Sequence, residues 1–153
     1  MDDEHVEILL VEDNANDVEL TLSALRRENL ANHVEVVRDG EEALDYLFRR
    51  GAFSGRQPEN RPKLVLLDLK LPKVDGLEVL QQLKSNARTK AIPVVMLTSS
   101  GEESDLVRSY DLGVNSYIQK PVDFEQFRNT VRQVGLFWLV VNHSPPPKAF
   151  QEK

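Results

Sequence analysis

The amino-acid sequence predicts an α/β fold in which a doubly wound, five-stranded parallel sheet is covered by five helices. Three observations predict it. Five short apolar runs alternate along the chain with five segments whose apolar residues recur at helical spacing. Three of the runs contain almost only Leu, Ile and Val, which is typical of strands buried on both faces of a parallel sheet. The 153 residues, 41% of them hydrophobic, are enough to bury one independent core.

The five apolar runs are predicted to form the strands. The first, third and fourth are nearly continuous in Leu, Ile and Val, whereas the second and fifth are more mixed. Parallel strands that alternate with helices are joined by right-handed crossovers, so this order places helices on both faces of the sheet. The strands are expected, in chain order, at Ile8–Val11, Val34–Val37, Leu64–Leu67, Pro93–Leu97 and Ser116–Gln119.

The segments that follow the strands are predicted to be helices, because apolar side chains three and four positions apart form one stripe. Asp39 precedes the second helix and Asp123 the fifth, each at the position of an N-cap, and Gln126 completes a capping box with Asp123. The stripes comprise, in order, Val18, Leu22 and Leu25; Leu44 and Leu47; Val79, Leu80 and Leu83; Leu106, Val107 and Tyr110; and Phe124, Phe127, Val131, Val134 and Trp138.

Polar residues capable of chemistry follow four of the five strands. In a doubly wound sheet, ligands bind where the carboxyl ends of the strands emerge. Glu12 and Asp13 follow the first strand, Asp68 the third, Thr98 the fourth and Lys120 the fifth. Each of them taken singly is more simply a helix cap or a turn residue. Their convergence on one edge of the sheet predicts a functional site.

The residue types at this edge indicate phosphoryl-transfer chemistry. Three carboxylates packed together repel one another and need a cation, and oxygen ligands without histidine or cysteine favour Mg²⁺. Lys120 can neutralise one oxygen of an incoming phosphoryl group, and Thr98 can hydrogen-bond another. Asp68 stands alone at the end of the central apolar strand. It is therefore the candidate nucleophile, which would form an aspartyl phosphate.

Four segments carry a resemblance to a known family. In order and spacing, the chain over about residues 7–138 resembles the receiver domain of two-component response regulators. The resemblance implies the CheY-like, flavodoxin-like arrangement with strand order 2-1-3-4-5. The segments are Ile8-Leu9-Leu10-Val11-Glu12-Asp13-Asn14, Leu66-Leu67-Asp68-Leu69-Lys70-Leu71-Pro72-Lys73-Val74-Asp75-Gly76, Val95-Met96-Leu97-Thr98-Ser99 and Asn115-Ser116-Tyr117-Ile118-Gln119-Lys120-Pro121.

This resemblance implies a role for each acid. Asp68 would accept a phosphoryl group from a phosphohistidine of a sensor histidine kinase. Asp13 would bind Mg²⁺ directly, Glu12 would bind it through water, and Asp68 and the backbone carbonyl of Lys70 would complete the ligands. A domain of this kind is a phosphoacceptor in signalling rather than an enzyme, although it catalyses its own phosphotransfer and slow dephosphorylation.

The resemblance also implies a set of switch residues. Lys120 would contact the phosphoryl group, Thr98 would move onto it, and Tyr117 would turn inward, which reshapes the face formed by the fourth helix, fifth strand and fifth helix. The peptide between Lys120 and Pro121 is expected to be cis, because family members use such a bond to aim the lysine. Tyr117 has a simpler alternative reading as a half-buried strand aromatic.

Two residues depart from the usual pattern of the family. Glu12 stands where many relatives have aspartate, and its longer side chain changes the geometry of the intervening water. Lys70 places a cation two residues after Asp68, and we expect it to change the rate at which water hydrolyses the aspartyl phosphate, in either direction. The Glu-Asp-Asn start, the long loop and the aromatic-rich end resemble small receivers that partner bacterial and cyanobacterial phytochrome kinases. Another histidine kinase is the open alternative.

A long loop over residues 51–62 separates the second helix from the third strand, where most receivers have a short connection. Its Gly, Pro and Arg content sets it apart from the strand–helix alternation. Arg49, Arg50, Arg56 and Arg61 make this stretch a basic patch on an acidic protein. The sequence assigns no function to the patch.

The carboxyl-terminal stretch is the second departure from the alternation. Residues 135–141 are too apolar for a solvated tail, and we expect them to join two copies in a homodimer through Phe137 and Trp138. The receiver domain is therefore expected over residues 1–141, followed by a flexible tail at 142–153. Too few residues remain for an output domain, so output is expected through protein contacts or onward phosphotransfer.

Composition excludes several classes of protein. The chain has no cysteine, which excludes disulfides, thiolate metal sites and cysteine nucleophiles. A net charge of −6 disfavours nucleic acid as a partner. No apolar stretch approaches the ~20 residues of a membrane span, and the acidic start is unlike a secretory signal. The expected location is the cytoplasm.

Two other functions fit parts of the pattern. An aspartyl-phosphate phosphatase also places carboxylates at strand ends, but it needs a second acid two residues after the nucleophile, and Lys70 occupies that position. A receiver that works as a protein-interaction module without phosphorylation is the other alternative. Modules of that kind usually lose a key acid or the lysine, and this chain retains all of them.

Overall fold

The computed structural model describes residues 8–27, 33–57, 61–98, 103–120 and 123–133. Within these ranges the chain forms five strands and five α-helices that alternate along the sequence. The strands are β1 (Ile8–Val11), β2 (Val34–Val37), β3 (Leu64–Asp68), β4 (Val94–Thr98) and β5 (Ser116–Gln119), and the helices are α1 (Ala15–Arg27), α2 (Gly40–Leu47), α3 (Gly76–Ser85), α4 (Glu103–Asp111) and α5 (Phe124–Gln133).

The five strands form one sheet in the order β2-β1-β3-β4-β5, and every neighbouring pair is parallel. The predicted fold class and strand order are confirmed. β1 and β3 lie in the middle, and all of their residues are buried. Their continuous apolar sequences therefore reflect burial on both faces of the sheet.

Two apolar layers sandwich the sheet, because successive side chains of a strand point to opposite faces. Leu9 and Val11 of β1 pack in the layer beneath α2 and α3, whereas Ile8 and Leu10 pack in the layer that contains apolar residues of α1 and α5. Phe127 of α5 is fully buried in this second layer. The helices on the two faces thus bury the three inner strands β1, β3 and β4 completely, whereas β2 at the edge of the sheet is only partly buried.

Three helices begin at an aspartate N-cap. The Asp39 carboxylate accepts a hydrogen bond from the Glu42 amide at 2.7 Å, and Asp123 accepts one from the Gln126 amide at 2.7 Å, as predicted for α2 and α5. Asp75 caps α3 by accepting a longer hydrogen bond, 3.4 Å, from the Leu77 amide. Strands β3 and β4 run one residue further than their apolar sequences, because the backbones of Asp68 and Thr98 still belong to the ladder.

The stretch after α2, predicted as an irregular loop, begins with a short 3₁₀ turn at Gly51–Phe53. The Phe53 ring packs edge-on against Tyr46 of α2 with 5.0 Å between the ring centroids. This contact fixes the start of the stretch on the body of the domain.

Several predictions concern residues outside the described ranges. These are the cis peptide at Pro121, the dimer residues Phe137 and Trp138, and the tail at 142–153. No helix in the described part of the chain is long and apolar enough to cross a membrane.

Candidate functional site

Strand register brings the predicted site residues to one edge of the sheet. Val11 pairs with Leu67, so the residues that follow them, Glu12 and Asp68, end neighbouring strands at the same level. The amide of Glu12 continues the sheet by donating to the Val37 carbonyl oxygen at 3.0 Å. These backbone contacts fix the starting points of both acidic side chains.

The same register aligns the fourth and fifth strands. Thr98 pairs with Gln119, and the amide of Lys120 donates to the Thr98 carbonyl oxygen at 2.7 Å. Lys120 therefore leaves the sheet beside β4 and reaches back across the edge toward Asp68. The structure thus brings residues from four separate segments to this edge of the sheet, and their roles stay predictions.

Three carboxylates form a cluster at this edge. One oxygen each of Glu12, Asp13 and Asp68 lies within 4.8 Å of the others. Glu12 and Asp68 are buried, with 0% and 4% exposure, whereas Asp13 is exposed. The cluster is thus closed on the protein side and open toward solvent at Asp13.

The ammonium group of Lys120 is the counterion of the buried acids. Its Nζ atom lies 2.8 Å from Glu12 Oε1 and 3.1 Å from Asp68 Oδ2. It also lies 3.0 Å from Asp17 Oδ2 on the first turns of α1. A single cation therefore contacts three carboxylates, and its own side chain is only 11% exposed.

Burial and charge shift the protonation of this group of residues. Burial raises the pKa of Glu12 to about 7; the hydrogen bond from Lys120 opposes this shift, and the negative charge of Asp68 adds to it. Burial disfavours the charge on Lys120, but the hydrogen bonds to Glu12 and Asp17 outweigh it, so the pKa of Lys120 is raised. Lys120 therefore stays protonated while Glu12 titrates near neutrality.

The predicted switch residues lie on the neighbouring strands. Thr98 ends β4 and is 1% exposed, so its side chain is enclosed next to the carboxylate edge. Tyr117 pairs with Met96 in the ladder, is half-buried, and packs against the apolar layer beneath α2 and α3. The structure places both residues where the resemblance expects them, and their switching roles stay predictions.

The loop after β3 holds Asp68 in place. The amide of Lys70 donates to Asp68 Oδ1 at 3.4 Å, while the Lys70 side chain is exposed. Gly76, at the start of α3, donates from its amide to the Leu69 carbonyl oxygen at 3.1 Å. A side chain at Gly76 would collide with this loop, because an added Cβ would lie 2.2 Å from the Asp68 carbonyl oxygen.

Asp17 is a residue of this site that the sequence analysis missed. The other site residues were selected because they follow the carboxyl ends of strands. Asp17 belongs to a helix, so this criterion did not select it. Asp17 lies four residues after Asp13, in the first turn of α1, and this second acid soon after the first strand was the available signal. An acid in the first turn of a helix is common for reasons of the helix dipole, so that signal is weak.

The donor set fits Mg²⁺. All three clustered side chains offer hard carboxylate oxygens, and the exposed Asp13 gives an ion access while leaving room for the water ligands that Mg²⁺ retains. A divalent cation would also compensate the negative charge of Asp68, which adds to the effect of burial in raising the pKa of Glu12. Glu12, Asp13 and Asp68 would hold the ion.

Comparison with known proteins identifies relatives along most of the chain. It is 49% identical over 140 residues to the probable methanogenesis regulatory protein FilR2 of Methanothrix harundinacea, covering 92% of this chain and 88% of that protein. It is 40% identical over 132 residues to the response regulator Rcp1 of Synechocystis, covering 86% and 88%.

Solved structures of response regulators are also similar to this chain. The bacteriophytochrome response regulator RtBRR matches with a TM-score of 0.82 and 58% identity, covering 96% of this chain and 89% of that one. The Mn(2+)-bound form of Rcp1 matches with a TM-score of 0.74 and 38% identity, covering 92% and 99%. The fold and much of the sequence are thus similar to those of phytochrome response regulators.

A family model matches nearly the whole described structure. The match is to the response regulator receiver domain and spans residues 8–132, from the start of β1 to the last turn of α5. It includes the carboxylate edge, both predicted switch residues and Lys120. The chain belongs to the response regulator receiver domain family.

Proposed function

We propose that this chain is a phosphorylation-dependent signalling switch in which Asp68 accepts a phosphoryl group from a sensor histidine kinase. The observation that carries the proposal is the contact of one buried ammonium, Lys120 Nζ, with Asp68 Oδ2 at 3.1 Å beside two further acids. Such an edge holds a nucleophilic carboxylate, a metal-binding cluster and a cation for the transferred group within one small volume.

Transfer would proceed by attack of an Asp68 oxygen on the phosphorus of a phosphohistidine, with the new O–P bond replacing the N–P bond. Glu12, Asp13 and Asp68 hold Mg²⁺ in this proposal, with the backbone carbonyl of Lys70 as a further ligand. When bound, the ion neutralises charge on the phosphoryl oxygens. Lys120 is close enough to Asp68 to leave its acid partners and contact the new phosphoryl group.

The phosphoryl group would then shift the conformational equilibrium of the neighbouring strands β4 and β5. It adds a charge of about −1.5 to −2 beside Lys120 and the enclosed Thr98. Thr98 would donate to it, and Tyr117, half-buried on the adjacent strand, would turn inward. The outcome is a shift between two arrangements of the face formed by α4, β5 and α5.

A phytochrome-type histidine kinase is the partner that the comparisons favour. The similarity to RtBRR, a bacteriophytochrome response regulator, covers 96% of this chain at 58% identity. Metal binding by the site is supported by the oxygen-only donor set and by the Mn(2+)-bound structure of Rcp1. Mixing the chain with candidate kinases and comparing initial transfer rates tests the partner directly.

The phosphoacceptor is tested by labelling the full chain with phosphoramidate, a small donor with an N–P bond. We expect the parent to gain one phosphoryl group when Mg²⁺ is present and none with a chelator. Asp68→Asn should gain none, whereas Asp111→Asn, an exposed aspartate at the end of α4, should label like the parent. Labelling of Asp68→Asn at the parental rate would refute the assignment.

Lys70 is proposed to set the lifetime of the aspartyl phosphate. Its amide contacts Asp68 while its side chain reaches solvent, and in this proposal its charge affects the approach of the attacking water. Lys70→Ala should change the rate of phosphate release from the labelled protein. An unchanged rate would contradict this role.

We also propose that the apolar stretch at 135–141, with Phe137 and Trp138, joins two copies of the chain. Its support is the sequence: seven consecutive residues without a charge follow the last turns of α5. Light scattering on the full chain and on a version ending at Gly135 tests it. A dimer that becomes a monomer on shortening is expected, and two monomers would refute the proposal.

A further inference from the structure

A second charged site lies at the opposite edge of the sheet from the carboxylate cluster. A cavity of about 240 Å³ opens there, beside the end of α2 and the starts of β3 and β4. The five residues of β3 separate this edge from Asp68 by about 15 Å. The residues that line the cavity are Leu47, Arg49, Arg56, Arg61, Arg88 and Thr89.

Four arginines from three separate segments thus surround one small volume, which we term the arginine cavity. The basic patch predicted from the sequence contains three of these four arginines. Arg88, from the turn after α3, joins the group although it lies far along the chain. Arg50 does not line the cavity; it pairs with Asp45 at 3.6 Å and lies over the Phe48 ring.

Two of the four guanidinium groups, those of Arg56 and Arg61, are held by contacts with neighbouring residues. Arg61 Nη1 donates to the Arg88 carbonyl oxygen at 2.7 Å. Arg56 lies over the Tyr46 ring, with 4.1 Å from its Cζ to the ring centroid. A guanidinium carries five N–H donors, so an arginine fixed through one of them can still donate to a ligand. Arg56 and Arg61 are therefore positioned beside the cavity with donors left for an acceptor.

Arg49 occupies a backbone position that favours glycine. The amide of Arg50 donates to the Asp45 carbonyl oxygen at 2.8 Å, and that of Arg49 to the Tyr46 carbonyl oxygen at 3.3 Å. This pair of bonds is the Schellman motif that ends many helices, and its left-handed residue is usually Gly. Arg49 has φ of 55° there. The strained arginine lowers stability at a position where it lines the cavity.

The lining of the cavity has positive charges without acidic residues among its described members. None of the described residues that line it carries a carboxylate, although the whole chain has a net charge of −6. Burial lowers the pKa of Arg56; the neighbouring Tyr46 opposes this shift, and Arg49 adds to it by repulsion between like charges. A bound anion would relieve that repulsion.

We propose that the arginine cavity binds a small phosphate-bearing anion, either inorganic phosphate or a phosphomonoester. Arginine forks match the oxygens of phosphate in pairs, which a lysine cannot do. A volume of about 240 Å³ is below the ~300 Å³ of common small-molecule pockets, so it suits one phosphate group with a small substituent outside it. The acidic edge carrying Asp68 would repel the same ligand in the absence of metal.

Calorimetric titration of the full chain tests the proposal, in a phosphate-free buffer with a chelator to silence the carboxylate edge. The probes are inorganic phosphate, glycerol phosphate and, for ionic strength, chloride. We expect both phosphates to bind and chloride not to bind. A tenfold preference for either probe would identify that form as the ligand, and equal affinities would support a site that recognises the phosphate group alone. Absence of binding by both phosphates would overturn the proposal.

Substitutions locate the site. Arg61→Gln and Arg88→Gln should each weaken phosphate binding about tenfold or more, because each removes one charged fork. Arg26→Gln, an exposed arginine on α1, makes the same charge change on the other face of the sheet and should leave affinity within twofold. Equal losses in all three variants would show a diffuse charge effect and overturn the site.

Arg49→Gly gives a readout that a merely structural role would not produce. Without phosphate it should raise the Tm by about 2–4 °C, since glycine relieves the left-handed strain. With phosphate it should gain less additional stability than the parent gains. A variant that is more stable and still binds phosphate with parental affinity would exclude Arg49 from the site.

Discussion

Lys120 Nζ lies 3.0 Å from Asp17 Oδ2, and this contact ties the end of β5 to the first turns of α1. Asp17 is 27% exposed, whereas the other two acids that contact the same ammonium, Glu12 and Asp68, are almost fully enclosed. Asp17 does not belong to the carboxylate cluster around Asp13. The lysine is therefore held by one acid that lies outside the cluster proposed to bind the metal.

Asp17→Asn should distinguish an acid that only contacts Lys120 from the acids of the carboxylate cluster. Lys120 keeps its contacts to Glu12 and Asp68, so the variant should lose only about 0.5–1 kcal/mol of unfolding free energy, as expected for a partly exposed ion pair. Its affinity for Mg²⁺ should fall less than fivefold. Asp13→Asn makes the same chemical change four residues earlier, before α1 begins, and should weaken Mg²⁺ binding at least tenfold, by calorimetry. Equal losses in the two variants would place Asp17 among the metal ligands.

Lys120→Met should destabilise the metal-free protein strongly. It leaves the buried carboxylates of Glu12 and Asp68 without their counterion, and loss of one partner of a buried ion pair costs about 3–5 kcal/mol. Mg²⁺ should restore at least half of this loss, because a divalent cation can neutralise the same oxygens. Denaturant unfolding with and without Mg²⁺ measures both effects.

The controls for that experiment are Lys120→Arg and Lys90→Met. The first keeps the charge, and the second removes one from an exposed lysine before β4. Lys90→Met should stay within about 1 kcal/mol of the parent, and Lys120→Arg should lose less stability than Lys120→Met because the charge is retained. A Lys120→Met protein as stable as Lys90→Met would mean that the acids do not depend on this ammonium.

Strand ends and helix faces were predictable from the sequence, and contacts between helix surfaces and loops were not. The apolar runs located all five strands within one residue, since burial on both faces of a parallel sheet demands such runs. Asp68 and Lys120 followed from their place after those runs. Asp17 did not, because helix surfaces carry acids for many reasons. Arg88 lines the arginine cavity because of the course of the turn after α3, and no local sequence pattern predicts that course.

Stability of the metal-free protein should fall as pH rises through neutrality. Burial raises the pKa of Glu12 from 4.5 to about 7, so between these values the folded protein binds a proton that the unfolded chain has released. The contribution is complete below pH 4.5 and is lost as pH passes 7, with an upper limit of about 3 kcal/mol. Denaturant unfolding at pH 5.5 and pH 8 with a chelator measures it.

Glu12→Gln provides the reference for this pH dependence. Other groups titrate in both proteins, so the quantity of interest is the difference between parent and variant, which should decline from pH 5.5 to pH 8. Mg²⁺ should stabilise the parent more at pH 8 than at pH 5.5, because below neutrality it competes with the Glu12 proton. Parallel pH profiles of the two proteins would contradict a raised Glu12 pKa.

Gly76→Ala should lower the stability of the fold and displace the loop after β3 that follows Asp68. An added Cβ would lie 2.2 Å from the Asp68 carbonyl oxygen and 2.6 Å from that of Leu69, and both are backbone atoms that cannot move aside without shifting the end of β3. We expect a loss of about 2–4 kcal/mol and slower phosphoramidate labelling of the folded fraction. Gly55→Ala is the matched control, because no atom lies within 4 Å of its Cβ position. Its stability and labelling should equal those of the parent, and equal behaviour of the two variants would show that α3 does not need this close approach to hold Asp68.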